Sequence, residues 1–273
     1  MQYIAPRIHV LLARQARVGL VLRRGPSRQV CTLAWDRTSD IFSLGQWLKG
    51  SIYEDLSDLS PDGKYFIYFA LNGRWKSETG GSWTAISQVP YLKAIALYRT
   101  NAYWAGGGLF TSDRTYWLNS DQSENPLIRT TLVSRDQDFD PATACGGHGN
   151  YFGRLIRDGW TCIEDFKNAK SDQSFIFERP LRRGWTLRKI SHVQIDRPQG
   201  KRINWDEHEL VHFVSGRCEA HPDWEWADVD EMRLVWASGG KLLAGRIDDQ
   251  GLGATEVLYD FNDMTFEAIK APY

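Results

Sequence analysis

Apolar residues in this chain come in short runs rather than in helical stripes. VGLVLRRG (18–25), QVCTLAWD (29–36), YFIYFALNG (65–73), LKAIALY (92–98), RTYWLN (114–119) and RLVWASGGKLLAGRI (233–247) are set off by Gly, Asp, Asn or Pro. Few segments keep the i, i+3, i+4, i+7 spacing that one face of a helix requires, and turn residues recur about every ten positions. Many short strands joined by tight turns predict an all-β fold.

The punctuation also repeats. WDEHELVHFVSGRC (205–218) aligns with VDEMRLVWASGGKL (229–242) at an offset of 24, which places Asp206 on Asp230, Leu210 on Leu234, Val211 on Val235 and Gly216 on Gly240. PDGKYFIYFA (61–70) joins the same register through Asp62, and IRDGWT (156–161) echoes LRRGWT (181–186) at an offset of 25. Asp62, Asp113, Asp158 and Asp206 are each expected to open a turn followed by a strand, at intervals of 51, 45 and 48. One unit of about 24 residues is the size of a hairpin with its loop, and two units make a four-stranded antiparallel sheet. A lone sheet of this kind leaves two faces unburied, whereas sheets packed face to face cover both. The prediction is a single β-propeller over residues 1–273 with five four-stranded blades, six being the runner-up. The N-terminal strand around Ile8–Ala13 would complete the last blade.

LSPDGKYFIYFA (59–70) resembles the S-P-D-G-K repeat of TolB-like and WD40-like propellers, in which the turn introduces a blade strand. That resemblance implies the propeller fold and leaves activity open, because propellers host unrelated functions. RGPS (24–27), GQWLKGSIYE (45–54) and DLSPDGKYFIYFA (58–70) together are similar to an uncharacterised bacterial family, which implies no activity.

Composition narrows the function classes. With 33 basic and 34 acidic residues the net charge is −1, which argues against nucleic acid as the main partner. Arg14, Arg17, Arg23, Arg24 and Arg28 form a local basic run, read as a solvated, loop-lined face. The N-terminal segment lacks the long apolar core and small-residue cleavage site of a secretory signal. No apolar run is long enough for a membrane helix. The four cysteines form no C-x-x-C pair and fit free thiols in a reducing compartment. A cytoplasmic protein without membrane association is expected. Its aromatic content is high, at 12 Trp, 11 Tyr and 12 Phe.

Candidate chemistry is sparse. HELVH (208–212) spells the zinc-hydrolase pattern H-E-x-x-H, in which a helix brings His208 and His212 to one ion and Glu209 polarises its water. No clean third ligand follows: Ser215 and Cys218 stand where a longer zinc motif needs Gly and His. The sister segments KYFIY and MRLVW make the stretch a strand, so no metal and no cofactor are expected. CGGHGNYFG (145–153) lacks the Lys and flanking elements of a phosphate loop and reads as part of a long inter-blade loop over 119–150. A Cys145–His148 nucleophile pair would lack an orienting group. The carboxylate pairs Glu54/Asp55, Asp58/Asp62, Asp138/Asp140 and Asp228/Asp230, with the tryptophans, suggest a carbohydrate-active enzyme as the alternative, although Asp at turns commonly bonds its own backbone. The leading expectation is a non-catalytic propeller that binds a protein partner through a loop face, in an immunity, sensor or adaptor role. Trp47, Lys49, Arg74, Trp75, Tyr103, Trp104, Asp140, His148 and Trp224 are the expected contact residues, since Trp, Tyr and Arg dominate interface energetics.

Overall fold

A computed structural model of the chain describes residues 4–100, 105–119, 126–140, 149–168, 172–194, 196–199 and 201–273. Among these the fold is all-β, with five sheets in chain order. Sheet 1 holds β1 (Arg7–Leu12), β2 (Val18–Arg24), β3 (Gln29–Asp36) and β4 (Ile41–Lys49). Sheet 2 holds β5 (Ser51–Leu59), β6 (Tyr65–Leu71), β7 (Ser82–Gln88) and β8 (Ala94–Arg99). Sheet 3 is smaller, with β9 (Gly108–Phe110), β10 (Thr115–Leu118) and β11 (Ser134–Arg135), the last parallel to β10. Sheet 4 has five strands, β12 (Thr161–Asn168), β13 (Asp172–Pro180), β14 (Trp185–Val193), β15 (Asn204–His212) and β16 (Arg217–Ala220). Sheet 5 comprises β17 (Trp226–Asp230), β18 (Arg233–Ser238), β19 (Lys241–Asp248) and β20 (Gly251–Asp260). Apart from the β10–β11 pair, every strand pairs antiparallel with its neighbour in sequence. No helix among the described residues is long and apolar enough to cross a membrane.

The chain divides into two compact units, Met1–Arg154 with Asp263–Tyr273, and Leu155–Asn262. In the first unit, β6 explains how the sheets stack. Its sequence YFIYFAL is apolar at every position, and all but the last residue are buried. Side chains alternate across a strand, so such a run covers two cores. Phe66, Tyr68 and Ala70 join Leu20, Leu22 and Val30 of sheet 1. Tyr65 and Ile67 join Phe110, Tyr116 and Leu118 of sheet 3. Each large apolar side chain so buried contributes about 2 kcal/mol. Successive antiparallel sheets covering one another's faces form a propeller-like arrangement.

The S-P-D-G-K turn enters β6 as the sequence predicts. The Ser60 hydroxyl accepts from the backbone N–H of Lys64 (3.0 Å) and Tyr65 (2.9 Å) and donates to Asp62 Oδ1 at 2.7 Å. Gly63 takes a left-handed φ of 75°, where a side chain would be strained. The turns at Asp113, Asp158 and Asp230 likewise precede strands. The echo of IRDGWT and LRRGWT is structural too: Gly159 and Gly184 both turn with positive φ, and the following Trp160 and Trp185 are both 2% exposed.

Three expectations are corrected. Asp206 opens no turn, because it lies inside β15. The segment expected to be loop ends in a helix, α1 (Gly149–Arg157), whose Phe152 and Leu155 are buried at i, i+3 spacing. The strand around Ile8–Ala13 completes no final sheet: β1 pairs with β2 along its whole length, and sheet 5 has four strands of its own. The tail after β20 returns to the first unit. There Gln46 on β4 donates through Nε2 to Ile269 O at 2.7 Å, and its Oε1 accepts from the N–H groups of Leu92 and Lys93 at 2.8 Å each. The Tyr273 hydroxyl donates to Lys93 O at 2.8 Å and accepts from Gln88 N at 3.0 Å.

Candidate functional site

HELVH lies wholly within β15. In a strand, residues four apart are separated by about 13 Å, far beyond the reach of one ion. The two imidazoles accordingly do different work. His212 is half-buried, lies tilted against Trp185 with ring centroids 5.0 Å apart, and bonds Ser215 Oγ at 2.7 Å and Arg183 O at 3.1 Å. His208 is 1% exposed and faces Lys189 of β14, also 1% exposed. Lys189 Nζ lies 3.2 Å from His208 Nε2 and 3.2 Å from Asp206 Oδ2, and 5.1 Å from the centre of the Trp160 ring. Ser191 donates to the other Asp206 oxygen at 2.5 Å. An ammonium only donates, so Nε2 must accept and Nδ1 carries the proton toward Trp224 O at 3.3 Å. Burial, then the neighbouring Lys189 charge, pushes the His208 pKa down to about 3. This is a sealed polar network, and its serine, lysine and histidine are out of a substrate's reach.

The carboxylates considered for sugar chemistry are largely engaged in structural contacts. Glu54 pairs with Arg24 at 2.6 Å. Asp58, 1% exposed, accepts from Phe110 N at 2.7 Å. Asp62 serves its turn, Asp228 pairs with Arg179 at 2.5 Å, and Asp230 pairs with Arg233 at 2.8 Å.

The first unit assembles a different kind of surface. In an antiparallel meander the chain returns to one end after every second strand, so the ends of β2, β4, β6 and β8 lie together. The register brings Arg7 opposite Arg24, Gln29 opposite Lys49, Ser51 opposite Leu71 and Trp83 opposite Arg99. The loops are tied in series: Gly50 N donates to Arg28 O at 2.8 Å, and a Cβ on Gly50 would meet Leu71 O at 2.7 Å. The Arg99 guanidinium lies against Gly80, where a Cβ would meet its Nε at 2.6 Å. Arg7, Arg24, Arg28, Lys49, Arg74, Lys76 and Arg99 therefore stand at one end of sheets 1 and 2, and all but Arg24 belong to exposed residues.

Residues 72–81 are held by their own hydrogen bonds. Asn72 Oδ1 accepts from Arg74 N at 2.9 Å, Ser77 N donates to Arg74 O at 2.9 Å, and Asn72 N donates to Gly81 O at 3.0 Å. From this closed loop Trp75 projects, its indole lying over Gly81 and 67% of the residue open to solvent.

Four expected contact residues thus fall at this end. Trp75, Arg74 and Lys49 are exposed there, whereas Trp47 is half-buried between Arg23 and Phe266 and serves packing. Phe266 also lies 4.8 Å beneath the Lys49 ammonium. Asp140 is exposed beyond β11. Trp224 is corrected: it is 4% exposed, stacked on His221 at 3.8 Å and Trp236 at 5.0 Å, and presents no area to a partner. Tyr103, Trp104, Cys145 and His148 lie outside the described residues. The basic run is also divided, since Arg14 and Arg17 occupy the β1–β2 turn at the opposite end from Arg24 and Arg28. The missed members were signalled by spacing. Lys49, Arg74 and Arg99 follow one another at 25 and 25 residues, the interval of the hairpin repeat, and Arg28 precedes Lys49 by 21.

The fold and this surface define the class: an all-β protein of propeller-like sheet arrangement. No protein-family model matches the chain, and no curated protein is significantly similar to it in sequence. Solved structures similar to it include an uncharacterized protein from Listeria monocytogenes EGD-e, at 10% identity and a TM-score of 0.28, covering 94% of this chain and 68% of that one. Prolyl oligopeptidase B from Galerina marginata is similar at 11% identity and a TM-score of 0.23, with 94% of this chain and 34% of that one covered. A prolyl endopeptidase is similar at 9% identity and a TM-score of 0.26, with 89% and 47% covered. The chain thus spans less than half the length of either peptidase.

Proposed function

We propose that this chain is a non-catalytic, propeller-like protein that binds a protein partner through the loop end of its first unit, in an adaptor, sensor or immunity role. The observation that carries the reading is Trp75, a large aromatic side chain held open to solvent by a loop that is already closed on itself. A contact residue on an ordered loop loses little conformational freedom on binding, so more of its contact energy appears as affinity. Aromatic and arginine side chains are also the residues on which protein interfaces most depend. The turn at Ser60–Lys64 further supports kinship with TolB-like and WD40-like repeats, whose rigid sheets display variable loops.

The test is affinity purification of the full chain from its producing cells, with a Trp75→Ala chain in parallel. A stoichiometric protein partner lost with the variant is expected. Partner capture unchanged by Trp75→Ala would move the interface elsewhere. Hydrolysis of a glycoside panel by the purified chain would replace the reading with the carbohydrate-active alternative.

A further inference from the structure

Given that reading, we infer that the partner presents an acidic segment, which seats on the end of sheets 1 and 2 around Trp75. Charge is unevenly distributed along this chain. The whole chain carries −1, yet seven cations gather at this end against Glu54 and Glu78. Even with Asp263 and Glu267 of the adjoining tail included, the local balance is +3, which leaves −4 on the rest of the molecule. A charge set so unevenly steers an oppositely charged partner toward this end.

The geometry suits carboxylates. Arg74 and Lys76 flank Trp75 on the same loop, and Arg99 lies against Gly80 beside it. Guanidinium groups bind carboxylates through paired hydrogen bonds, and the exposed indole offers an apolar face for a neighbouring side chain of the same segment. The segment would therefore alternate Asp or Glu with at least one aliphatic or aromatic residue.

The surface also favours an acidic protein segment over a nucleic acid: among the described residues one indole, Trp75, is exposed at this end, which provides no succession of stacking platforms for bases.

The test is selection of random displayed peptides on the immobilised full chain, with fluorescence-anisotropy titration of the enriched peptides and of an oligo-dT. Enriched peptides of net negative charge are expected. Their affinity should fall about tenfold or more in Trp75→Ala and in Arg74→Glu/Lys76→Glu, and should weaken as salt rises. Both sites are exposed, so each variant should keep the wild-type melting temperature. Enriched peptides that are neutral or basic, or acidic peptides that bind both variants as well as wild type, would overturn this inference and leave the protein-binding reading standing. No enrichment of any peptide would sink both. Oligo-dT binding tighter than every peptide would assign the surface to nucleic acid instead.

Discussion

Lys189 and His208 meet across β14 and β15, Nζ to Nε2 at 3.2 Å, with each residue 1% exposed. A buried ammonium beside an imidazole is tolerable only while the imidazole stays neutral. The arrangement therefore fixes both a charge state and a tautomer: Nδ1 keeps its proton for Trp224 O, and Nε2 accepts from Lys189. Its consequences can be measured.

The first is an acid limb in stability. His208 is held neutral down to about pH 3 in the folded chain, against 6.5 for a free histidine. The unfolded chain thus binds a proton that the folded chain refuses, and stability is complete above about 6.5 and declines as pH falls toward 3. Urea denaturation across that window should show this slope, and His208→Gln should lessen it by one proton, about 1.4 kcal/mol per pH unit.

Replacing the lysine alone should be costly. Lys189→Met removes the cation and leaves Asp206 with only its remaining partners in a largely buried site. Breaking such a pair from one side costs about 3 kcal/mol or more. The double variant Lys189→Met/Asp206→Asn should recover part of that loss, because no unpaired charge remains. Chemical denaturation of the two variants checks the order.

Backbone crowding gives a sharper contrast. Gly107 has a φ of 79°, and a Cβ there would meet the Leu56 carbonyl oxygen at 1.9 Å. Gly73 has a similar φ of 71° with nothing within 4 Å. Gly73→Ala should cost about 1 kcal/mol from conformation alone. Gly107→Ala should cost at least about 2 kcal/mol more, since backbone has to move. Paired thermal melts measure the difference.

The cysteines should separate by burial. Cys31 is fully buried, and that burial pushes its thiol up to about 12, so almost none of it is thiolate at neutral pH. Cys218 is exposed. Under native conditions a thiol reagent should label Cys218 well ahead of Cys31, with Cys31 reacting only on unfolding. Peptide mapping after timed labelling reads this directly.

The strands and the S-P-D-G-K turn were legible because they depend on local rules: alternation, a hydroxyl beside a turn, and a glycine with positive φ. Asp206 was misread because its local context matches Asp230, while its actual partners Lys189 and Ser191 lie on the preceding strand. Trp224 was misread for a similar reason. Its Pro–Asp surroundings resemble an exposed turn, but His221 and Trp236 enclose it. The helix Gly149–Arg157 escaped notice because its stripe covers barely two turns after a glycine cluster. Lys49, Arg74 and Trp75 were picked out by residue type. Their association with Arg28 and Arg99 emerges only once the hairpin interval is applied to charge as well as to apolar residues.

Gln46 ties together groups that ribosomal synthesis separates widely. It bonds Leu92 and Lys93, made soon after it, and Ile269, made only after the whole of the second unit. The first unit therefore cannot reach its finished state during its own translation. Until residues 263–273 emerge, Trp47 lacks Phe266 and Gln88 lacks the Tyr273 hydroxyl. Maturation of the amino-terminal half is thereby deferred to the carboxyl-terminal residues, so a nascent chain interrupted within residues 155–262 would carry an unfinished first unit.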